Sequence, residues 1–182
     1  MKLFSHTENV WTIENFLEAH TCRELIELSE KLGYQEAEVN LESGAMIIKG
    51  IRNNSRLIYQ NEALANELWT KLECFCPKVI EDNDAIGLNE QFRFYKYELN
   101  QRFKKHRDGR FKRNEKEESR ITFMIYLNDD YLGGETSFET INIFPQIGMA
   151  LCFIHEEKHE GCPITEGVKY VLRSDVMYRK KS

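Results

Sequence analysis

The stretch Phe103-Lys104-Lys105-His106-Arg107-Asp108 sets a histidine and an aspartate one residue apart. In an extended segment, side chains at i and i+2 leave the same side, so His106 and Asp108 can reach a single metal ion. His-x-Asp with a second, distant histidine is the donor set of a 2-His-1-carboxylate facial triad, which holds ferrous iron on one face and leaves the opposite positions open. The third donor must come from another strand, and His159 stands where one could. The letters His106-Arg107-Asp108 also imitate a kinase catalytic loop, H-R-D-x-x-x-x-N. That reading fails: Asn114 lies one residue too far along, no glycine-rich phosphate loop precedes it, and no D-F-G follows.

The segment His159-Glu160-Gly161-Cys162-Pro163-Ile164-Thr165-Glu166-Gly167-Val168-Lys169-Tyr170 resembles the C-terminal signature of the prolyl 4-hydroxylase-like branch of the iron(II)/2-oxoglutarate dioxygenases, H-x-G-x-P-V-x-x-G-x-K. Upstream, Tyr97 to Asp108 is similar to the family's Y-x-x-G-Q-x-[FY]-x-x-H-x-D. Tyr126-Leu127-Asn128 with Gly133-Gly134-Glu135-Thr136-Ser137-Phe138 is similar to its Y-L-N…G-G-x-T-x-F. The resemblance implies a double-stranded β-helix fold, iron on His106, Asp108 and His159, and O2 and 2-oxoglutarate as co-substrates. It implies Lys169 on the distal carboxylate of 2-oxoglutarate, Tyr97 and Tyr126 as hydroxyl donors to it, and ascorbate as a candidate reductant. The reaction implied is hydroxylation of a substrate C–H with release of succinate and CO2. Counting back to the basic anchor favours His159 over His155, which reads as a surface or supporting residue. Asn100 stands where the family has Gly, and Asn is the next residue best able to take φ > 0.

Strand alternation over Val168 to Arg179 puts Lys169, Val171, Arg173 and Asp175 on one face. Arg173 is therefore a rival anchor for 2-oxoglutarate, unless it pairs with Asp175. The same parity sets Arg93 and Tyr95 beside Tyr97.

The remaining pattern is α+β: packing helices from the N-terminal part and a jelly-roll core, in one domain spanning 1–182, with 1–90 as helix-rich support and 91–182 as the catalytic core. Thr21 and Glu24 form a capping box, and Cys22, Leu25, Ile26 and Leu32 give a helical stripe that Gly33 can end. Asn61 can cap a second helix carrying Leu64, Leu68 and Leu72, halted by Pro77. Short alternating runs follow at Phe92 to Glu98, Ile121 to Leu127, Ile141 to Phe144, Met149 to Ile154 and Tyr170 to Tyr178. Turn residues separate them at Asp129-Asp130, Gly133-Gly134 and Pro145 to Gly148. Eleven Phe and eight Tyr suit a β interior.

A net charge of −5 argues against a general affinity for polyanions. Yet Lys104, Lys105, Arg107, Arg110, Lys112 and Arg113 crowd the His-x-Asp element, before Glu115, Glu117 and Glu118 restore the balance. The two readings are a solvated loop and a basic rim that draws an acidic peptide or a nucleic acid. By resemblance, Arg52 and Arg56 join it as candidates for substrate contact. The same resemblance implies peptidyl-proline as the favoured substrate. Free amino acids, small metabolites, a nucleic acid, or a non-catalytic binding role on the same fold are the alternatives. No apolar run reads as a secretory signal or a membrane span. Five cysteines, an odd number without metal-site spacing, read as reduced thiols, so the expectation is a cytoplasmic protein.

Overall fold

The computed structural model describes residues 1–36, 39–41, 44–46 and 52–181. In chain order the strands of the first half are β1 (Lys2–Ser5), β2 (Val10–Glu14), β3 (Gln35–Glu36), β4 (Val39–Leu41), β5 (Gly44–Met46), β6 (Ser55–Gln60), β7 (Val79–Ile80) and β8 (Asn83–Leu88). The second half adds β9 (Gln91–Tyr97), β10 (Phe103–His106), β11 (Glu117–Tyr126), β12 (Leu132–Gly133), β13 (Thr136–Ser137), β14 (Asn142–Ile143), β15 (Ala150–Ile154), β16 (His159–Gly161), β17 (Ile164–Glu166) and β18 (Lys169–Lys180). Two helices, α1 (Ala19–Leu32) and α2 (Glu62–Leu72), complete the main elements.

Strands β11 and β18 form the centre, paired antiparallel with Tyr126 opposite Val171, Met124 opposite Arg173 and Thr122 opposite Asp175. Among the described residues they sit inside a ten-stranded sheet ordered β1-β2-β15-β11-β18-β9-β6-β3, with β8 and β7 added along the far part of β18. Both faces of the central strands are buried, so their sequence alternates between two interiors rather than between core and solvent. Ile121, Phe123 and Ile125 join Phe92, Phe94 and Leu172 on one face. There they meet Cys22 and Leu25 of α1 and Ala65, Leu68 and Leu72 of α2. On the opposite face Tyr95, Tyr97, Tyr126 and Val171 pack with Phe138, Phe153 and Ile164. A smaller sheet, β10-β16-β13-β14, covers that second face. The result is a jelly-roll β-sandwich with helices on its outer side.

The N-terminal part, read as helix-rich support, also supplies strands to the core. Strands β1, β2, β3, β6, β7 and β8 all lie in the main sheet. The run Val10-Trp11-Thr12-Ile13 is β-branched and aromatic, and it fills the space beside β15. The capping box is also absent. Helix α1 starts at Ala19 with Glu18 as its N-cap and no side-chain cap, so Thr21 lies inside the first turn. Glu24 instead faces His20 at 3.3 Å. Helix α2 follows its expected cap: Asn61 accepts the Leu64 N–H at 2.9 Å. No helix among the described residues is long and apolar enough to cross a membrane.

Gly148 ties the N-terminal segment to the sandwich. Its N–H donates to Tyr126 O, and its carbonyl accepts from Phe16 N and Leu17 N. Its φ is +74°, and a Cβ there would lie 2.1 Å from Leu17 O, a backbone atom that cannot yield cheaply. Gly148→Ala should therefore cost at least about 1–3 kcal/mol of stability from backbone strain alone. Chemical denaturation would show it; an unchanged midpoint would mean that this junction carries no strain.

Candidate active site

Strands β10 and β16 are antiparallel neighbours, and His106 faces His159 across the pair. Asp108 follows β10 by two residues. His106 Nε2 lies 3.5 Å from Asp108 Oδ1 and His159 Nε2 3.7 Å from Asp108 Oδ2. One donor atom from each residue falls within 4.8 Å of the others. The other ring nitrogens are committed: His106 Nδ1 donates to Lys104 O at 2.8 Å, and His159 Nδ1 to Glu157 O at 3.0 Å. A carbonyl can only accept, so Nδ1 holds the proton in each ring and the Nε2 lone pair points toward Asp108. Burial, with help from His106 and Arg173 and against Asp108, lowers His159 to about 4, so it stays neutral at physiological pH. Three donors meet here with both imidazoles ready to bind a cation.

Asp108 is held by more than the histidines. Burial works to raise its pKa, but Arg173, then His159 and His106, outweigh burial and hold the carboxyl well below the usual range. Arg173 reaches Oδ2 at 3.1 Å, and the Thr122 hydroxyl donates to the same oxygen at 2.6 Å. Behind Thr122 stands His155, whose Nδ1–H donates to the Thr122 hydroxyl at 2.9 Å. His155 Nε2 accepts from Ser119 at 2.8 Å, and Ser119 Oγ accepts the Phe111 N–H. The chain of donors runs one way, from the backbone beyond Asp108 back to its carboxylate. His155 is 1% exposed, so it is a buried support and not a surface residue. Thr122 and Ser119 carry no motif of their own; only the β11 register reveals them.

Lys169 is 3% exposed and enters the same cavity, which Tyr95, Tyr97, Thr136, Phe153 and Val171 also line. Its ammonium donates to Gly134 O and sits 5.1 Å from the Tyr126 ring and 5.6 Å from the Tyr97 ring. No carboxylate pairs with it among the described residues. Burial pushes its pKa down to about 7. Arg173 is in the opposite condition, bonded to Asp108 and to Asp175 at 3.0 Å. Of the two candidate cations on this face of β18, one already has its anions and the other has none. The Tyr97 ring lines the cavity, whereas the Tyr126 hydroxyl lies behind it, 2.6 Å from Thr136 Oγ1. Asn100 takes φ 63°, the left-handed turn that its place in the motif demands.

Two arginines of the basic rim are neutralised in place. Arg110 pairs with Glu118 and Glu156, and Arg113 with Glu90 and Glu117. Arg107 donates to Glu156 O. The Arg52 side chain is buried against Tyr95 and Phe103, and Arg52 and Arg56 line the cavity mouth; the neighbouring Ile51 lies outside the described residues.

Residues 92–174 match the family model described as the 2OG-Fe(II) oxygenase superfamily. The matched stretch carries that superfamily's domain and contains His106, Asp108, His159 and Lys169. The chain is a 2-oxoglutarate-dependent dioxygenase, with iron(II) and 2-oxoglutarate as its cofactors. Solved structures share its fold along nearly the whole chain. The viral collagen prolyl hydroxylase of Paramecium bursaria Chlorella virus-1, a 2OG complex, aligns with TM-score 0.67 and 21% identity over 94% of this chain and 97% of its own. A Pseudomonas putida prolyl-4-hydroxylase aligns with TM-score 0.66 and 16% identity over 97% of this chain and 95% of its own. An oxidoreductase of the 2OG-Fe(II) oxygenase family from Burkholderia pseudomallei gives TM-score 0.64 and 12% identity over 96% and 86%. No curated protein matches the sequence.

The residues of this oxygenase fit both groups. Two imidazoles that present Nε2 and an ionised carboxylate suit ferrous iron, and a buried ammonium without a carboxylate partner suits one end of a dicarboxylate. The Thr122 bond fixes the rotation of the Asp108 carboxylate, whose two oxygens face one histidine each. Thr122→Val should weaken iron(II) affinity by about 10- to 100-fold, while Thr122→Ser, which restores the hydroxyl, should recover most of it. Anaerobic calorimetry on both variants measures this; equal affinities for valine and serine would remove the support role.

Proposed function

We propose that this oxygenase hydroxylates peptidyl-proline, with His106, Asp108 and His159 holding the iron and Lys169 receiving the distal carboxylate of 2-oxoglutarate. The observation that carries the reading is the placement of an anion-free buried ammonium in the cavity of the His-Asp-His group. Bound iron with 2-oxoglutarate and O2 supplies the oxidising power for C–H hydroxylation, and the chain supplies position and exclusion of water. Lys169 orients the co-substrate by a charge-assisted bond, aided by the Tyr97 hydroxyl at the cavity wall. Arg173 serves Asp108 rather than the co-substrate, because two carboxylates already balance its charge. Phe103, Phe153 and Val171 give the cavity apolar walls that keep water out. A proline substrate is supported by the full-length likeness in fold to the viral collagen prolyl hydroxylase and the P. putida prolyl-4-hydroxylase. A single catalytic domain spanning 1–182 accounts for the match.

Two outcomes are expected in an assay of succinate release coupled to a one-oxygen mass gain on a proline-containing peptide. Asp108→Ala should fall to background. Lys169→Ala should raise the 2-oxoglutarate requirement about 10- to 100-fold, the worth of a charge-assisted bond. If Lys169→Ala left that requirement unchanged and Arg173→Ala destroyed it, the anchor assignment would be wrong.

The lowered pKa of Lys169 gives a pH signature. A carboxylate binds the protonated amine, whose population in the free protein falls as pH rises past about 7. Affinity for 2-oxoglutarate should therefore be full below pH 7 and decline above it. In Lys169→Arg, whose guanidinium does not deprotonate in this range, the profile should be flat. A wild-type profile as flat as the variant's would show that the lysine stays charged without its ligand.

A further inference from the structure

The cavity that opens outward from His106 and Asp108 has a volume of about 550 Å³, within the range of small-ligand sites. Its lining is rich in cations, and most of them are spoken for. Arg93 pairs with Asp175, Arg173 with Asp108 and Asp175, and Arg110 with Glu118 and Glu156. Lys105 and Arg107 are exposed, and Arg52 is the buried exception. It is only 5% exposed, with its guanidinium 4.5 Å from the centroids of both the Tyr95 and Phe103 rings. Its Nε donates to Asn54 Oδ1 at 2.6 Å, while Nη2 is buried without an acceptor. No carboxylate pairs with it among the described residues. Stacking on aromatic faces recovers only part of the hydration a guanidinium loses on burial, and the remainder is an unmet demand for an anion.

The demand is directed. Phe103, which holds Arg52, also stacks on His106 with ring centroids 3.5 Å apart, so the guanidinium is anchored within one aromatic layer of the metal-binding group. The Tyr95 hydroxyl reports the same field. Burial would raise its pKa, but Arg173, Arg52 and Arg93 together outweigh burial and bring it down to about 8.

Building on the reading under Proposed function, we propose that the substrate carries an oxyanion that docks on the Arg52 guanidinium beside the iron site, supplied by an acidic side chain of the peptide. A guanidinium offers a planar fork that matches a carboxylate or a phosphate in two-point contact. A polyanionic nucleic acid fits less well. The chain is net −5, and the rim arginines around the mouth are answered by Glu90, Glu117, Glu118 and Glu156, which would repel a run of phosphates. Of the lining cations without a carboxylate partner, Lys105 and Arg107 are exposed to water and Arg52 is buried, so the cavity wall selects one anionic group rather than a strand of them.

The test is fluorescence anisotropy on the protein loaded with manganese(II) and 2-oxoglutarate, which blocks turnover. The probes are end-capped, labelled peptides with a central proline flanked by alanine, glutamate, phosphoserine or lysine, and a single-stranded oligonucleotide of similar length. The glutamate or phosphoserine peptide should bind about tenfold or more tighter than the alanine peptide, and lysine should bind weakest. Arg52→Gln should bring the acidic-to-neutral ratio close to one. Arg52→Lys, which keeps the charge without the fork, should retain part of the preference and serves if the glutamine variant fails to fold. Preference for glutamate over phosphoserine, or the reverse, identifies the source of the oxyanion. Unlabelled N-acetylglutamate competing as well as the peptide would assign the same site to a free acid. Equal binding of neutral and acidic peptides, a preference that survives Arg52→Gln, binding of none of the peptides, or an oligonucleotide that binds tightest would overturn the proposal. Affinity for 2-oxoglutarate, read on the same samples, separates the two ideas. If wild type fails to bind it, the proposed function falls; if it binds but shows no anion preference, only the Arg52 inference does.

Discussion

Burying positive charge inside a β-sandwich is the constraint around which this molecule is organised. A cation removed from water must find an anion, or it destabilises the fold and drifts toward its neutral form. Strand β18 sends Lys169 and Arg173 from one face into the space between the two sheets. Arg173 meets Asp108 and Asp175 there, and the three form a compensated group that also fixes the carboxylate facing His106 and His159. Lys169 meets a carbonyl and two aromatic rings, none of which carries a full negative charge. The difference between these two cations is that one is compensated within the fold and the other is left to an added anion, as proposed above.

The scaffold makes that asymmetry permanent. Gly134, at φ +69°, lets its loop pass close to the lysine; a Cβ there would lie 2.4 Å from the Ile164 side chain and 3.3 Å from Lys169 Cδ. The cross-strand placement of His106 opposite His159 depends on the β10–β16 register, and a one-residue slip would turn one imidazole away from the other. Packing of β11 on both faces leaves Thr122 no alternative to its place under Asp108. Apart from Asp108, which follows β10 in a loop and is held by Thr122 and Arg173, the groups of the site stand on paired strands, which suits a centre that must hold its geometry between turnovers.

Much of this could be read from the chain. His106 and Asp108 share a strand-end spacing, Lys169 and Arg173 share a parity, and Asn100 announces a left-handed turn; all are local patterns that survive without coordinates. The supporting groups could not be read. Thr122, Ser119 and His155 matter because β11 lies between β15 and β18, and no spacing in the sequence encodes that adjacency. The strands of the first 90 residues were hidden for a related reason. Asn83 to Leu88 contains Asp84 and Gly87, poor strand formers whose conformation is imposed by pairing with β18. The capping pattern at Thr21 and Glu24 misled because the helix began earlier, at Ala19. The charge run near Arg107 and Arg110 drew attention as a rim, yet its carboxylate partners lie elsewhere in the chain. The cation left unanswered, Arg52, was a candidate by resemblance alone; its burial against Tyr95 and Phe103 depends on contacts distant in the chain.

The measurement that tests the account most directly is an anaerobic titration followed by visible absorption, adding iron(II) and 2-oxoglutarate separately and then together. The account requires that the His-Asp-His group and the Lys169 pocket serve one bound pair of groups. A charge-transfer band should therefore appear only when both are present, and it should saturate at one equivalent of iron per chain. Absence of the band at saturating concentrations of both would contradict the account and leave the buried lysine without an explanation.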